Sequence, residues 1–132
     1  MRKMRVIVMA LLTGIAVVAL GGCRTAPVHN VTEAPVNTGS QAASMAEVRE
    51  AIIQAGTKLG WQMNADSPGH IIATLNIRSH MAQVDVNYDT TDYSIEYRDS
   101  RNLKYDGNEI HKNYNGWIQN LDNNIRQELL LL

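Results

Sequence analysis

The sequence predicts an α+β fold, a two-layer sandwich in which two amphipathic helices cover one face of a four-stranded antiparallel meander. Helical patterns of apolar residues lie near the start and the end of residues 44–132, and four stretches of alternating apolar and polar residues lie between them. Short turns separate the four stretches, which favours antiparallel neighbours. A segment of about 90 residues can hold one modest core, so we expect a single compact domain over 44–132.

The first helix is predicted from its start signal and its periodicity. Ser44 and Glu47 form a capping box, in which each side chain can bond to the backbone amide of the other residue. Gly60 supplies a stop signal. Apolar residues at helical spacing between these signals are Met45, Val48, Ile52, Ala55 and Leu59.

The four strands are predicted over 61–65, 71–77, 82–88 and 93–97, where apolar and polar residues alternate. Turn-forming residues separate them at 66–69, 79–80 and 89–92. One face of the sheet is therefore expected to be apolar and the other polar.

A second amphipathic helix is predicted at the C-terminal end, although Gly116 within it costs about 1 kcal/mol relative to alanine. Beyond its buried stripe, Leu130 and Leu131 either fill the edge of the domain or form an exposed apolar tag for a partner. The stripe consists of Ile110, Tyr114, Trp117, Ile118, Leu121, Ile125 and Leu129.

Residues 1–22 have the pattern of an export signal. Arg2, Lys3 and Arg5 precede an apolar run over 6–20, and the segment contains no acidic residue. The run is shorter than the roughly 20 residues that a membrane-spanning helix needs, and it fits the apolar part of a secretory signal.

The tetrapeptide Leu20-Gly21-Gly22-Cys23 resembles the lipobox of bacterial lipoproteins. The resemblance implies that Cys23 carries a diacylglycerol and becomes the acylated N-terminus, which anchors the protein to the lipid bilayer. Arg24 stands where an Asp would act as an inner-membrane retention signal in enteric bacteria, so the outer membrane is expected, with the domain facing the periplasm. The alternative is a plain signal peptide or short anchor that ends in a chance cysteine.

Residues 23–43 are expected to form the lipidated N-terminus and a flexible tether. Pro27, Pro35 and Gly39 interrupt this segment, and no sustained period is visible in it. An alternative treats residues 28–31 as a short motif that docks on a partner or on the domain itself.

Charge argues against nucleic-acid binding. The whole chain has 12 Lys and Arg and 13 Asp and Glu, but three of the basic residues lie in the signal. The remaining 9 cations and 13 anions give a formal charge of −4 to residues 23–132. A basic surface for nucleic acid is therefore not expected.

Longer segments resemble small proteobacterial lipoproteins of unassigned function. The similarity covers about residues 44–129 together with the lipobox, through VREAIIQAGTKLGWQM, IIATLNIRSHMAQVDVNY, YSIEYRDSRNLKYDG and IHKNYNGWIQNLDNNI. The resemblance implies a location and an architecture, and it provides no catalytic residues.

No cofactor, metal site or catalytic centre is predicted. The four histidines (His29, His70, His80 and His111) lack metal-binding spacing, and only a His80–His111 pair brought together by folding stays open. The acidic residues near the turns do not have EF-hand spacing. Motifs of nucleophilic hydrolases, metalloproteases and nucleotide-binding loops are missing from the sequence.

The aromatic residues and one loop are the best candidates for a binding site. The chain has no Phe, and its Tyr and Trp residues can bury area while keeping a hydrogen bond, although they can equally join a helix to the rim of the sheet. The loop at 98–105 is rich in mixed charge, and loops often carry binding residues. The candidate binding residues are Tyr97, Arg98, Arg101, Lys104, Tyr105 and Trp117.

The functional expectation is a non-catalytic binding or adaptor module at the bacterial envelope. Its partner is expected to be an envelope protein or peptidoglycan. The alternative is a small-ligand or glycan binder that uses the Tyr and Trp surface, and a hydrolase would need a histidine and a carboxylate, or a serine, within hydrogen-bond reach in a cavity.

Overall fold

A computed structural model describes residues 24–132 and has an α+β fold. A five-stranded antiparallel sheet, a two-stranded antiparallel sheet and two helices make up the domain. The predicted signal sequence and Cys23, and with them the predicted lipidation, lie outside the described residues.

Both predicted helices are confirmed. Helix α1 spans Met45–Lys58, and its capping box joins the Ser44 hydroxyl to the Glu47 amide and the Glu47 carboxylate to the Ser44 amide. Helix α2 spans Lys112–Leu130, and His111 caps it by accepting a hydrogen bond from the Asn113 amide. The two helices pack against each other, with Asn124 donating a hydrogen bond to the Ala55 carbonyl.

The main sheet has five strands, so the predicted number of four is wrong. Strands β3 (Gln62–Ser67), β4 (His70–Ile77), β5 (His80–Tyr88) and β6 (Asp92–Arg101) follow one another across the sheet. The fifth strand, β2 (Val31–Pro35), pairs with β6 and gives the order β2-β6-β5-β4-β3.

Residues 25–35 belong to the folded domain, so the prediction of a flexible tether is wrong for this segment. Strand β1 (Thr25–Pro27) pairs with β7 (Glu109–His111), and β2 covers the edge of β6. Val31 and Ala34 are buried opposite Ile95 and Tyr93. Their spacing of three residues comes from a register shift in β2, and it hides the alternation by which a strand is recognised in sequence.

The core is one cluster that joins buried residues of both helices and of β2, β4, β5 and β6. The cross-strand pairs Ile71–Val86, Ala73–Val84 and Leu75–Ala82 place apolar side chains on the same face of the sheet. The cluster also includes Leu103 and Ile110, which lie on the chain between β6 and α2.

The C-terminal leucines have different environments. Leu129 is buried on α2 and Leu132 packs against the core, whereas Leu130 and Leu131 are exposed. Neither helix within residues 24–132 has the length and apolar character needed to cross a bilayer.

Candidate functional site

An open groove of about 650 Å³ lies where β6 ends and the chain continues toward β7. Four of the six residues predicted as a binding site line it, namely Tyr97, Arg98, Lys104 and Tyr105. The other lining residues are Asp99, Ser100, Asn102 and Leu103. We call this cavity the β6–β7 groove.

Two tyrosines form one wall of the β6–β7 groove. The rings of Tyr97 and Tyr105 are stacked, with centroids 4.0 Å apart and planes inclined by 27°. The Tyr97 hydroxyl lies 2.7 Å from the Ser100 hydroxyl, and burial raises the pKa of Tyr97 above its ordinary value. Tyr105 is 42% exposed, so part of its ring is accessible to a ligand.

Tyr114 of α2 supports this pair from the core side. Its ring meets Tyr97 edge to face, with centroids 5.9 Å apart, and the residue is fully buried. Its hydroxyl has no hydrogen-bond partner among residues 24–132. Burial raises the pKa of Tyr114 well above its ordinary value, so the hydroxyl stays protonated.

The backbone of the loop is held in an uncommon conformation. Asn102 and Lys104 have φ angles of 56° and 55°, in the left-handed region that costs most residues about 1 kcal/mol. The Asn102 side chain donates a hydrogen bond to the Ser79 hydroxyl, the Asn102 carbonyl lies 2.7 Å from Nδ1 of His80, and the Leu103 carbonyl accepts the amide of His111. These contacts fix Lys104 and Tyr105 relative to the sheet.

The other two predicted binding residues are not among the groove-lining residues. Arg101 is the last residue of β6, where it pairs with Met81 and is exposed. Trp117 is partly buried on α2 and packs against the core. Its helical spacing, which places Trp117 on the predicted apolar stripe of the second helix, was the signal that it packs against the core.

A chain of ionisable groups lies on the polar face of the sheet. The Nε2 atom of His70 is 2.7 Å from Oδ1 of Asp85, and its Nδ1 atom is 3.1 Å from Oδ2 of Asp66. Arg98 donates a hydrogen bond of 2.8 Å to the same Oδ1 atom of Asp85. Arg98 thus contacts Asp85 in this row of ionisable groups and also lines the β6–β7 groove.

The pKa values of His70 and Asp85 are shifted in opposite directions. Hydrogen bonding to Asp85 raises the pKa of His70, and the contact with Asp66 raises it further, while partial burial opposes both. Burial alone would raise the pKa of Asp85, but the hydrogen bonds from His70 and Arg98 outweigh it, so that its pKa is lowered. Both shifts favour an ion pair between imidazolium and carboxylate.

This arrangement suits a structural clamp better than general-base catalysis. Both ring nitrogens of His70 face carboxylates, so neither has a free lone pair for a substrate proton. The sequence analysis did not predict the pairing of His70 with Asp85. The two-residue turn between Ile77 and His80 sets the register of β4 against β5, and this register makes His70 and Asp85 diagonal neighbours. The length of this turn was therefore the sequence feature from which the pairing could have been predicted.

The two other histidines near the loop do not form a pair with each other. His80 contacts the Asn102 carbonyl, whereas the His111 ring caps α2. Within the described part of the chain, no three His, Cys, Asp or Glu side chains converge as a metal site would require.

Comparison of the chain with family models, with curated proteins and with solved structures found no match.

Proposed function

We propose that this chain is a lipid-anchored protein of the bacterial envelope that acts as a non-catalytic binding or adaptor domain. Acylated Cys23 holds it to the outer membrane, and the domain faces the periplasm. The support for this location is the signal pattern followed by Leu20-Gly21-Gly22-Cys23. Anchoring restricts the domain to the membrane surface and raises its effective concentration for nearby partners.

The observation that carries the binding role is the construction of the β6–β7 groove. Stacked tyrosines, two cations and a left-handed backbone at Asn102 and Lys104 meet at one place. Residues held in sparsely populated backbone conformations cluster at ligand-binding sites. The partner we favour is an envelope protein that contacts Lys104 and Tyr105.

We infer that the domain is a two-layer sandwich in which both helices cover the apolar face of the sheet. The buried residues of α1 and α2 form one cluster with those of the strands. The polar face and the β6–β7 groove are then free to make contacts.

The anchor is tested by replacing Cys23 with Ser in the full chain. We expect acylation to be lost and the domain to move from the membrane fraction to the soluble fraction. Arg24→Lys, which leaves the cysteine in place, is the matched control and should stay membrane-bound. A Cys23→Ser protein that remains acylated in the membrane would contradict the anchor.

The binding role is tested by a photo-crosslinking residue placed at position 105 in cells. We expect a discrete crosslinked envelope component, whereas the same residue at exposed Gln62 on β3 should give none. Equal crosslinking at the two positions, or none at position 105, would count against the groove.

The second candidate function is glycan binding, and the exposed face of Tyr105 favours it. Tyrosine rings pack against sugars while their hydroxyls hydrogen-bond. Calorimetric titration with soluble peptidoglycan fragments should give a binding signal that Tyr105→Ala removes and Tyr105→Phe largely keeps. Absence of any signal, together with a protein crosslink at position 105, would eliminate the glycan.

A further inference from the structure

Four structural elements meet at the end of the domain where the described chain begins. The tip of the β4–β5 hairpin contacts the loop after β6 through Ser79 and Asn102. That loop contacts β7 through the Leu103 carbonyl, and β7 pairs with β1. The Arg24 carbonyl then accepts the amide of Lys112, so the start of α2 belongs to the same end.

This end carries most of the domain's basic residues. Five of the nine Lys and Arg residues in 24–132 lie on its segments, and they are Arg24, Arg78, Arg101, Lys104 and Lys112. All five are exposed. We call this surface the basic end.

The acidic residues at the basic end are few and are engaged locally. Asp106 accepts hydrogen bonds from the amides of Asn108 and Glu109, and Glu109 accepts one from the Thr25 hydroxyl. Asp99, two residues before the end of the strand pairing at Arg101, accepts the amide of Ser100. The five cations therefore outnumber the nearby carboxylates.

The opposite end is acidic. It comprises the β3–β4 turn, the β5–β6 turn, the start of α1 and the end of α2. Gly69 contacts Tyr88 and Met45, and Glu128 of α2 lines a cavity together with Glu47 of α1. Its acidic residues are Glu47, Glu50, Asp66, Asp89, Asp92 and Glu128, against the cations Arg49, Arg126 and Lys58, the last of which pairs with Glu128. Helix α2 runs between the two ends, a distance of about 27 Å for 19 residues.

From this polarity we infer that the basic end rests on the bilayer and contacts anionic lipid headgroups. The inference rests on the proposed anchor, because Arg24 follows Cys23 directly and is already bonded to Lys112. Only one residue therefore separates the acylated cysteine from β1, which leaves no long tether. Neighbouring strands lie about 5 Å apart, so the loop at Leu103 is within about 10 Å of β1.

Charge and side-chain type both match a lipid surface. Basic residues close to an anionic membrane each strengthen the association by roughly fivefold. Tyrosine is enriched at the level of the headgroups, where Tyr105 would lie beside Lys104. The β6–β7 groove then opens at the membrane surface, and its partner must reach that surface.

The experiment uses the full lipidated protein in vesicles, with one cysteine introduced as a labelling site. Because the chain has a single Cys and that residue is acylated, the new thiol is the only one free to react. Asn108→Cys places a fluorophore at the basic end and Leu131→Cys places it at the acidic end, both at exposed positions. Quenching by lipids with spin-labelled headgroups measures the distance of each fluorophore from the membrane.

We expect quenching at position 108 to exceed that at position 131 severalfold in vesicles that contain phosphatidylglycerol. Quenching at position 108 should fall when phosphatidylglycerol is replaced by phosphatidylcholine. Lys104→Gln with Lys112→Gln should reduce the equilibrium constant for docking by about 25-fold, whereas Arg49→Gln with Lys58→Gln on α1 should not change it.

Three outcomes would overturn the inference. Equal quenching at the two positions, stronger quenching at position 131, or quenching at position 108 that ignores lipid charge would each do so. In each of these outcomes the protein still sediments with the vesicles, so the proposed anchor would not be contradicted. A protein that does not sediment with vesicles contradicts the proposed anchor and, with it, the orientation.

Discussion

His70 joins three segments of the polar face through one imidazole ring. Asp66 lies at the end of β3, Asp85 lies on β5, and Arg98 on β6 completes the chain through Asp85. The His70 side chain is 22% exposed, so its charge is partly shielded from water. The strength of this clamp therefore depends on the charge of His70.

The pH dependence of stability follows from the two pKa shifts. The raised pKa of His70 gives stability that is complete below its ordinary value of 6.5 and is lost as the pH rises through the folded-state pKa. The lowered pKa of Asp85 gives stability that is present above its ordinary value of 3.8 and is lost as the pH falls through its folded-state pKa. The clamp is thus strongest between these two ordinary values.

We predict that His70→Gln lowers the free energy of unfolding more at about pH 5.5 than at about pH 8, because only the imidazolium forms the ion pairs. Urea unfolding at the two pH values measures the difference. His80→Gln, a change in the histidine at the other end of the same hairpin, should leave the pH dependence as it is. A His70→Gln effect that is equal at both pH values would contradict the clamp.

At the scale of the element, helix α2 bonds to the hydroxyl of one buried tyrosine and carries a second, whose hydroxyl has no hydrogen-bond partner within the described part of the chain. The Tyr93 hydroxyl donates a hydrogen bond to the carboxylate of Asp122, which also accepts one from Arg126. The Tyr114 hydroxyl has no partner in residues 24–132. A buried hydroxyl without a hydrogen bond weakens the fold, whereas a bond to a charged group stabilises it.

We predict that Tyr114→Phe keeps or raises the free energy of unfolding, by up to about 1 kcal/mol. Tyr93→Phe, the matched change, should lower it by about 2 kcal/mol, since it removes a hydrogen bond to a charged carboxylate. Chemical denaturation of both variants measures the two effects. A clear loss of stability in Tyr114→Phe would show that its hydroxyl has a partner in solution.

Strand β2 is the element that sequence periodicity could not identify. Its paired positions Val31 and Ala34 are separated by a register shift, and Glu33 between them has a positive φ of 50°. The longer strands β4 and β5 alternate over eight and nine residues, and so they were predictable. Local pattern thus predicted the helices and long strands, but short strands stabilised by distant partners left no local signal.

The folded state of β2 can be tested by a pair of neighbouring substitutions. Val31→Asp should lower the free energy of unfolding by about 3 kcal/mol, because it buries an unpaired charge against Ile95. Thr32→Asp, at an exposed position, should change it by less than about 0.5 kcal/mol. Equal, small effects would indicate that residues 31–35 do not pack on the sheet.

At the scale of the whole molecule, the chain between β2 and α1 closes against the C-terminus. The Ser40 hydroxyl donates a hydrogen bond to the Leu132 carbonyl, and Gly39 lies so close to the Leu130 carbonyl that a Cβ atom would clash with it. The predicted tether therefore contacts the end of α2. Sequence reasoning could not find this contact, which joins residues about 90 positions apart.

We predict that Gly39→Ala destabilises the protein by about 1–3 kcal/mol, because backbone must move to admit the methyl group. Gly116→Ala, in α2 with open space around the position, should stabilise it by about 1 kcal/mol through higher helix propensity. Thermal unfolding of the two variants measures both. A stabilising Gly39→Ala would mean that this segment is not held against α2.

The candidate site also shows what sequence can and cannot predict. Lys104 and Tyr105 were predicted from the composition of their loop, since polar, charged loops often carry binding residues. The stacking of Tyr97 on Tyr105 and the buried support from Tyr114 depend on how β6 and α2 pack. Such contacts arise only from the tertiary structure.

The three-residue pairing of β1 with β7 has a mechanical consequence. A pull between the proposed N-terminal anchor and a partner held at Lys104 would travel through β1, β7 and the Leu103 carbonyl, while Lys112 and Asn115 also hold β1 to the start of α2. The load would fall on a few backbone hydrogen bonds near Arg24 and His111. Under tension this short ribbon would open first while the core stayed folded, and the domain would then extend farther from the proposed anchor.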